Sequence, residues 1–150
     1  MREIKFRGKR YGDGAWVYGS LYQGTKEGEE YNVILNDSGY HLAPPDDRNL
    51  AIAFAENEVD VVMPDTIGQF TGLYDENGEQ IYEGDIVERF QPMPHYRNGV
   101  YYDGNAIYGV VRYIDAGFYI LSDKQAYELS RNFDMWLQGN IYDNAELLNE

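Results

Sequence analysis

The chain alternates short apolar segments with turns rich in glycine, asparagine and aspartate, and this spacing is the feature that most limits its possible folds. Residues 3–7 alternate charged and apolar side chains, which is the period-two pattern of a half-buried strand. A Gly-Asp-Gly turn at residues 12–14 then leads into the aromatic and aliphatic segment 15–22. We therefore predict a β-hairpin over residues 3–22.

Strand patterns recur along the rest of the chain, with turns between them. They fall at residues 31–35, 40–42, 59–63, 66–74, 80–82, 86–87, 107–113, 118–121 and 137–141. Asn77 and Gly78 favour a tight hairpin turn with positive φ angles, and residues 115–117 form another short connection. The polar residues 23–30 and 91–105 are predicted as loops. Helix formers occur only over residues 50–57, 124–129 and 144–148, all short segments.

These elements predict a mainly β fold with little helix, since short strands joined by frequent turns are typical of sandwiches and barrels. The best candidates for boundaries are the Pro-rich elbow at residues 44–47 and the loop at residues 91–105. We predict an N-terminal, hairpin-rich part over residues 1–63 and a C-terminal part over residues 64–150. The two parts could still pack as one globular unit.

The charge balance excludes several classes of partner. Lys and Arg number 12 against 26 Asp and Glu, a formal net charge of −14. A nucleic-acid-binding protein needs a cationic surface to displace counterions from phosphates, so we expect no direct contact with nucleic acid and none with an acidic membrane. No signal-peptide pattern follows Met1, and no apolar run approaches about 18 residues, so we expect a cytoplasmic protein.

Residues that could carry chemistry do not form a recognisable site. Cysteine is absent, which excludes disulfides, thiolate metal sites and a cysteine nucleophile. His41 and His95 lack the spacing of metal ligands and are more typical of loop histidines. The oxygen-rich residues 75–79 fail as an EF-hand loop, because Gln80 stands where the loop needs Gly and Ile86 stands where it needs Glu. We expect no metal and no cofactor.

An enzyme that works with two carboxylates alone, such as a glycosidase, stays open as an alternative. With 26 acidic residues, some pair always lies at a suitable distance, so their abundance removes the signal. We therefore expect a protein without enzymatic activity.

Charge is also unevenly distributed along the chain. Residues 1–10 carry five basic residues and one acidic residue, whereas residues 49–88 carry ten acidic residues and no Lys or Arg. The acidic segment could be a solvated face that keeps a β protein soluble. Alternatively, the basic segment, with Arg2, Lys5 and Arg7, could contact the acidic segment of another subunit, or the acidic surface could mimic DNA and bind a basic host protein.

The 15 tyrosines allow two interpretations. In strands, tyrosine rings pack against cross-strand neighbours while their hydroxyls reach water, so many of them could be half-buried structural residues. Alternatively, Tyr96, Tyr101, Tyr102 and Tyr108 could form a subunit contact or a stacking surface, since tyrosine is enriched at interfaces. Strand propensity favours the first interpretation.

Three segments carry a family resemblance. Residues 63–87, MPDTIGQFTGLYDENGEQIYEGDIV, form the central one, and residues 2–7 (REIKFR) and 139–148 (GNIYDNAELL) are the other two. On these segments the chain resembles the YopX family, which is carried by bacteriophages and prophages. Residues 23–57 and 91–106 depart from the family pattern.

The resemblance implies a mainly β protein whose C-terminal part is a small barrel of SH3-like character and which assembles with copies of itself. It implies no activity and no catalytic residues. From the residues themselves, the central segment is interpreted as structural: Gly68 and Gly72 allow close backbone approach, Asn77 and Gly78 form a turn, and Gly84 with Asp85 begins a strand. We expect a phage accessory protein that forms a homo-oligomer and contacts a host or phage protein.

Overall fold

A computed structural model describes residues 3–36, 59–90, 95–102, 106–123 and 125–149, with the backbone alone at residues 36, 95, 97 and 100–102. The chain forms two compact units, Met1–Phe70 and Thr71–Glu150. The predicted division between residues 63 and 64 lies earlier in the chain. The predicted mainly β class is confirmed, because the described elements are antiparallel strands and two short 3₁₀ helices.

The first unit is built from an antiparallel sheet whose strands neighbour one another in the order β4-β3-β2-β1-β5. Its elements are β1 (Phe6–Lys9), β2 (Trp16–Lys26), β3 (Glu29–Asn36), β4 (Val59–Val61), a 3₁₀ helix (Pro64–Thr66) and the beginning of β5 (Gly68–Tyr74). The predicted first hairpin is confirmed: β1 and β2 are antiparallel, with Arg7 opposite Tyr18 and Lys9 opposite Trp16.

The prediction of a loop over residues 23–30 was wrong. β2 continues to Lys26 and β3 begins at Glu29, with Lys26 opposite Glu29 in the register. The turn needs only Glu27 and Gly28, whose φ angles of 54° and 82° fit a two-residue hairpin turn. The polar residues belong to exposed strand ends, where cross-strand pairing outweighs composition.

The apolar core of the first unit is small. Val33, Leu35 and Val59 are buried together, and the rings of Tyr22 and Tyr31 pack against them. The two ring centroids lie 5.9 Å apart. Both tyrosines are half-buried, which is the arrangement expected of strand residues that pack a ring and leave the hydroxyl near water.

The second unit contains a five-stranded antiparallel sheet in the order β12-β11-β10-β7-β13. Its elements, after the end of β5, are β6 (Gln80–Tyr82), β7 (Asp85–Phe90), β8 (His95–Arg97), β9 (Val100–Tyr102), β10 (Ile107–Ile114), β11 (Gly117–Leu121), β12 (Ala126–Glu128), β13 (Asp134–Asn140) and a 3₁₀ helix (Ala145–Leu148). Among the described strands the sheet is open, because β12 and β13 lie at its two edges and do not close it into a barrel.

Two predictions for this unit, a loop and a helix, were wrong. Residues 91–105 were predicted as a loop, yet β8 and β9 pair within them around Asn98 and Gly99, whose positive φ angles form the turn. Residues 124–129 were predicted as a helix, yet β12 pairs with β11 there. Its helix-forming residues are held extended by the ladder, since pairing outweighs intrinsic propensity.

The other turns and helices of this unit agree better with prediction. Asp115 and Ala116 both have positive φ angles and join β10 to β11, as expected of a tight hairpin. The helix predicted at residues 144–148 is present as 3₁₀. Predictions for residues 40–42, 44–47 and 50–57 lie outside the described residues.

The core of the second unit joins strands that are far apart in sequence. Ile81, Val87, Val111, Ile120 and Met135 are buried together. Each strand presents alternate residues to this core, as β geometry requires. Among the described residues, no helix has the length and apolar character needed to cross a bilayer.

Candidate functional site

Asp75 organises the loop that follows β5. One carboxylate oxygen, Oδ1, accepts hydrogen bonds from the backbone N–H groups of Asn77 and Glu79, each at 2.9 Å. The other, Oδ2, accepts a hydrogen bond from the N–H of Leu137 in β13 at 3.1 Å. The residue is only 6% exposed. Its carboxylate is therefore engaged with backbone N–H donors. This agrees with the interpretation of residues 75–79 as a turn and not as a calcium-binding loop.

The turn at Asn77 and Gly78 differs from the predicted one. Gly78 has a φ of 81°, but Asn77 is not in the positive-φ region, so the expectation of positive angles at both residues was wrong for Asn77. The N–H of Gly78 donates to the Asp75 carbonyl at 3.0 Å, and the N–H of Asp75 donates to the Glu79 carbonyl at 2.8 Å. Because the Asp75 side chain closes the loop as well, a two-residue mirror-image turn is not needed.

Gly84 and Asp85 form the corner from which β7 begins. Gly84 has a φ of 86°, its N–H donates to the Val111 carbonyl at 2.8 Å, and its carbonyl accepts from the N–H of Ile141 at 2.9 Å. The Asp85 side chain is 1% exposed, and its Oδ2 accepts from the N–H of Tyr82 at 2.7 Å. Gly84 thus joins segments that are distant in sequence, whereas the Asp85 side chain closes the corner locally.

Gly68 and Gly72 have different environments. Gly68 is buried and lies opposite Arg7 in the pairing of β5 with β1. Gly72 is half-buried with a φ of 86°, a conformation that favours glycine, and it lines a groove in the second unit.

This groove, of about 370 Å³, is the candidate site and is called the β5–β13 groove below. Its lining residues come from two distant segments: Gly72, Leu73, Tyr74, Glu76, Arg131, Phe133 and Met135. Phe133 and Met135 are buried and form an apolar floor, whereas Tyr74 is 50% exposed. Glu76 and Arg131 are both exposed, and no ion pair is found between them in the described parts of the chain. The groove therefore offers apolar surface with one acidic and one basic side chain.

Arg89 supports the floor of the β5–β13 groove. Its guanidinium lies 3.9 Å from the centroid of the Phe133 ring and 5.6 Å from that of Tyr127. Nη1 also donates to the Glu128 carbonyl at 2.8 Å. A buried cation needs such partners, so this arrangement fixes Phe133 in position.

Of the five residues predicted as subunit contacts, only Lys5 and Arg7 have described side chains. Arg2 lies outside the described residues, and Tyr101 and Tyr102 are described only as backbone in β9. Lys5 is half-buried. Arg7 is 5% exposed and lies 4.5 Å from the Trp16 ring centroid, so it offers little surface to a partner.

Tyr96 and Tyr108, the other two tyrosines singled out, do present surface. Tyr96 is 76% exposed and Tyr108 is also exposed. They lie on β8 and β10 respectively.

An ion-pair cluster connects the basic and acidic segments within the first unit. Arg10 donates to Asp13 at 2.7 Å and to Asp60 at 3.3 Å. The hydrogen bond from Arg10, followed by the one from the Ala15 N–H, lowers the pKa of Asp13 to about 2. The basic opening of the chain thus meets one residue of the acidic segment intramolecularly.

Other grooves and clusters add little chemistry. A groove of about 310 Å³ in the first unit is lined by residues 23–25 and 30–32, with Glu30 as its carboxylate, and the β5–β13 groove likewise holds one carboxylate, Glu76. Within the described ranges, no group of three or more His, Asp or Glu side chains is placed to hold a metal ion.

Sequence reasoning missed the β5–β13 groove altogether. Tyr74 and Glu76 were assigned to a strand and a turn, and Arg131, Phe133 and Met135 were not singled out. The segments that line the groove are separated by more than fifty residues, and no local spacing links them. In the sequence, only the aromatic residue Tyr74 beside the Asp-Glu-Asn-Gly turn offered a signal.

The family of the chain is shown by the family model that matches it. The YopX family model, described as YopX protein, matches residues 5–149. The chain belongs to the YopX family. The predicted family resemblance is thereby confirmed, and the match covers nearly the whole chain.

The crystal structure of protein EF1440 from Enterococcus faecalis is similar to this chain, with 20% sequence identity over 99% of each chain and a TM-score of 0.46. No protein with a curated description matches the chain.

Proposed function

We propose that this chain is a phage- or prophage-encoded accessory protein of the bacterial cytoplasm. It acts without catalysis, by assembling with copies of itself and by binding another macromolecule. Membership of the YopX family, which the resemblance links to bacteriophages and prophages, supports this origin. The neighbourhood of the coding region tests it, because phage genomes group replication, host takeover and morphogenesis genes separately.

The main support for a role in binding comes from the exposed tyrosines. Those among the large exposed side chains are Tyr11, Tyr18, Tyr74, Tyr96, Tyr108 and Tyr113. Tyrosine supplies a large, rigid contact area together with a polar hydroxyl, and it is enriched where proteins meet. Exposed tyrosines on both units therefore support recognition of another protein surface more than catalysis in a cleft.

We also infer an SH3-like character for the second unit. β7, β10, β11 and β12 are successive antiparallel neighbours, and β13 returns to pair with β7. This order supports the inference, because SH3-like barrels complete a four-stranded meander with a fifth strand beside the first. Fold analogy alone says little about function, so the proposal depends on the exposed surface and not on this likeness.

Light scattering at low and high salt tests self-association. We expect a particle larger than one chain at low salt that becomes smaller at high salt. The reason is that residues 1–10, with a net charge of +4, and the ten acidic residues of segment 49–88 in another copy would contribute to the contact. The mass of a single chain at both salt concentrations would contradict the proposal.

The rival proposal is an acidic inhibitor that mimics DNA. The acidic segment over residues 49–88 favours it, but Asp75 and Asp85 are buried and engaged with backbone N–H groups, so they add little to an anionic surface. Pull-down from host lysate separates the two proposals. DNA-mimicry requires a captured DNA-binding protein that is released when DNA is added, whereas the leading proposal requires capture that DNA leaves unchanged.

A further inference from the structure

The β5–β13 groove carries opposite charges on a single surface. Glu76 and Arg131 both line it and are both exposed. Neither side chain makes an ion pair within the described parts of the chain. These two exposed charges of opposite sign, beside an apolar floor, have no charged partner within the described parts of the chain. The groove therefore has no complement of its own.

A two-fold axis would supply that complement. In an isologous contact the same patch of both copies meets, so a residue at one position contacts a different position of the partner, and the reverse contact follows by symmetry. A patch with one acidic and one basic residue is therefore complementary to itself. A patch with one sign of charge would repel its own copy.

The apolar part of the groove fits the same arrangement. Tyr74 stands half-exposed at the wall, while Phe133 and Met135 form the floor. Across a two-fold axis, the Tyr74 ring of each copy would face the apolar floor of the other. Interfaces concentrate their binding energy in such central aromatic residues surrounded by polar groups.

We propose that the β5–β13 groove binds a second copy of this chain around a two-fold axis, with Glu76 of each copy facing Arg131 of the other. The inference rests on the proposed self-association and names the surface that performs it. The occupant is a copy of this chain because the groove carries both members of the charge pair. A different partner would need an independent surface with the matching arrangement.

Charge-reversal variants test the pairing. E76R places two basic residues in the groove and R131E places two acidic ones, so each variant alone should lose self-association by about tenfold or more through like-charge repulsion. The double variant E76R/R131E exchanges the two charges and should regain association. The matched control is E79R, which makes the same charge change at an exposed residue of the same loop outside the groove lining.

Mixing the two single variants gives the sharpest result. E76R carries Arg at both positions and R131E carries Glu at both, so a mixed pair restores both ion pairs while each variant alone restores none. Sedimentation velocity of each variant and of the mixture measures this, with circular dichroism to show that all variants are folded. We expect association in the mixture and in E79R, and monomers in each single variant.

Other outcomes separate this inference from the proposed function. If wild type associates and both single variants associate equally well, self-association stands and the groove is not its interface. If both single variants are monomeric and their mixture is monomeric too, the two-fold pairing is overturned. It is also overturned if the groove binds only a different macromolecule. If folded wild type is monomeric at every concentration, the proposed self-association fails and this inference fails with it.

Discussion

The Asp75 carboxylate accepts a hydrogen bond from the backbone N–H of Leu137, 62 residues further along the chain. The same side chain caps its own turn through Asn77 and Glu79. A single buried carboxylate thus connects the loop after β5 to β13, the two segments that line the β5–β13 groove.

Removal of the Asp75 carboxylate should destabilise the second unit. D75A leaves three backbone N–H groups without their acceptor, and hydrogen bonds to a charged group contribute more than neutral ones, so we expect a loss of about 3 kcal/mol in the free energy of unfolding. Urea unfolding measures it. D134A, which removes an exposed carboxylate from β13, is the control and should change stability by less than about 0.5 kcal/mol. Equal stability of the two variants would contradict the role of Asp75.

Substitutions at Gly78 and Gly84 distinguish the cost of backbone strain at positive φ from the cost of a steric clash with a neighbouring ring. Both have positive φ angles, but a Cβ at Gly78 meets no atom within 4 Å, whereas a Cβ at Gly84 would lie 3.0 Å from the Tyr142 ring. G78A should therefore cost about 1 kcal/mol from backbone strain alone, and G84A should cost more because Tyr142 must move. Thermal unfolding compares them. G84A as mild as G78A would show that the Tyr142 contact is unimportant.

Arg89 should not tolerate replacement by lysine. R89K keeps the charge but loses the planar group that stacks on Phe133, so we expect a loss of about 1 to 2 kcal/mol in stability, measured by urea unfolding. R112K, at a half-buried position on β10, serves as the control and should have a smaller effect. A silent R89K would mean that the stacked guanidinium contributes only charge.

The Arg10–Asp13 contact should be visible as a pH dependence. The pKa of Asp13 is lowered to about 2, first by the hydrogen bond from Arg10. The contact therefore stabilises the folded chain above the unfolded carboxyl pKa of about 3.9, and this stabilisation is lost as the pH falls through about 2. Carboxyl NMR titration measures the Asp13 midpoint. In R10Q we expect that midpoint to rise towards the ordinary range, and an unchanged midpoint would exclude Arg10 as the cause.

Local sequence patterns predicted much of the fold, because glycine turns and strand alternation act over a few residues. The first hairpin and the turn at Asp115 and Ala116 were found in this way. The turn at Glu27 and Gly28 was missed because Glu rarely adopts a positive φ, so the polar stretch around it resembled a loop. β12 was missed because its residues favour helix and only its pairing with β11 holds it extended.

The candidate groove could not be predicted from local patterns at all. Arg131 lies in a turn and Phe133 directly precedes β13, and they become part of a site only when β13 lies beside the loop at Asp75. The position of that loop is set by long-range hydrogen bonds. Spacing within a sequence window carries no record of such contacts.

Sedimentation equilibrium of the wild-type chain, over a wide range of protein concentrations at low salt, tests the central claim most directly. We expect the apparent molar mass to rise reversibly from that of one chain towards that of two or more. A molar mass that stays at one chain throughout the range would contradict a protein that acts through self-association.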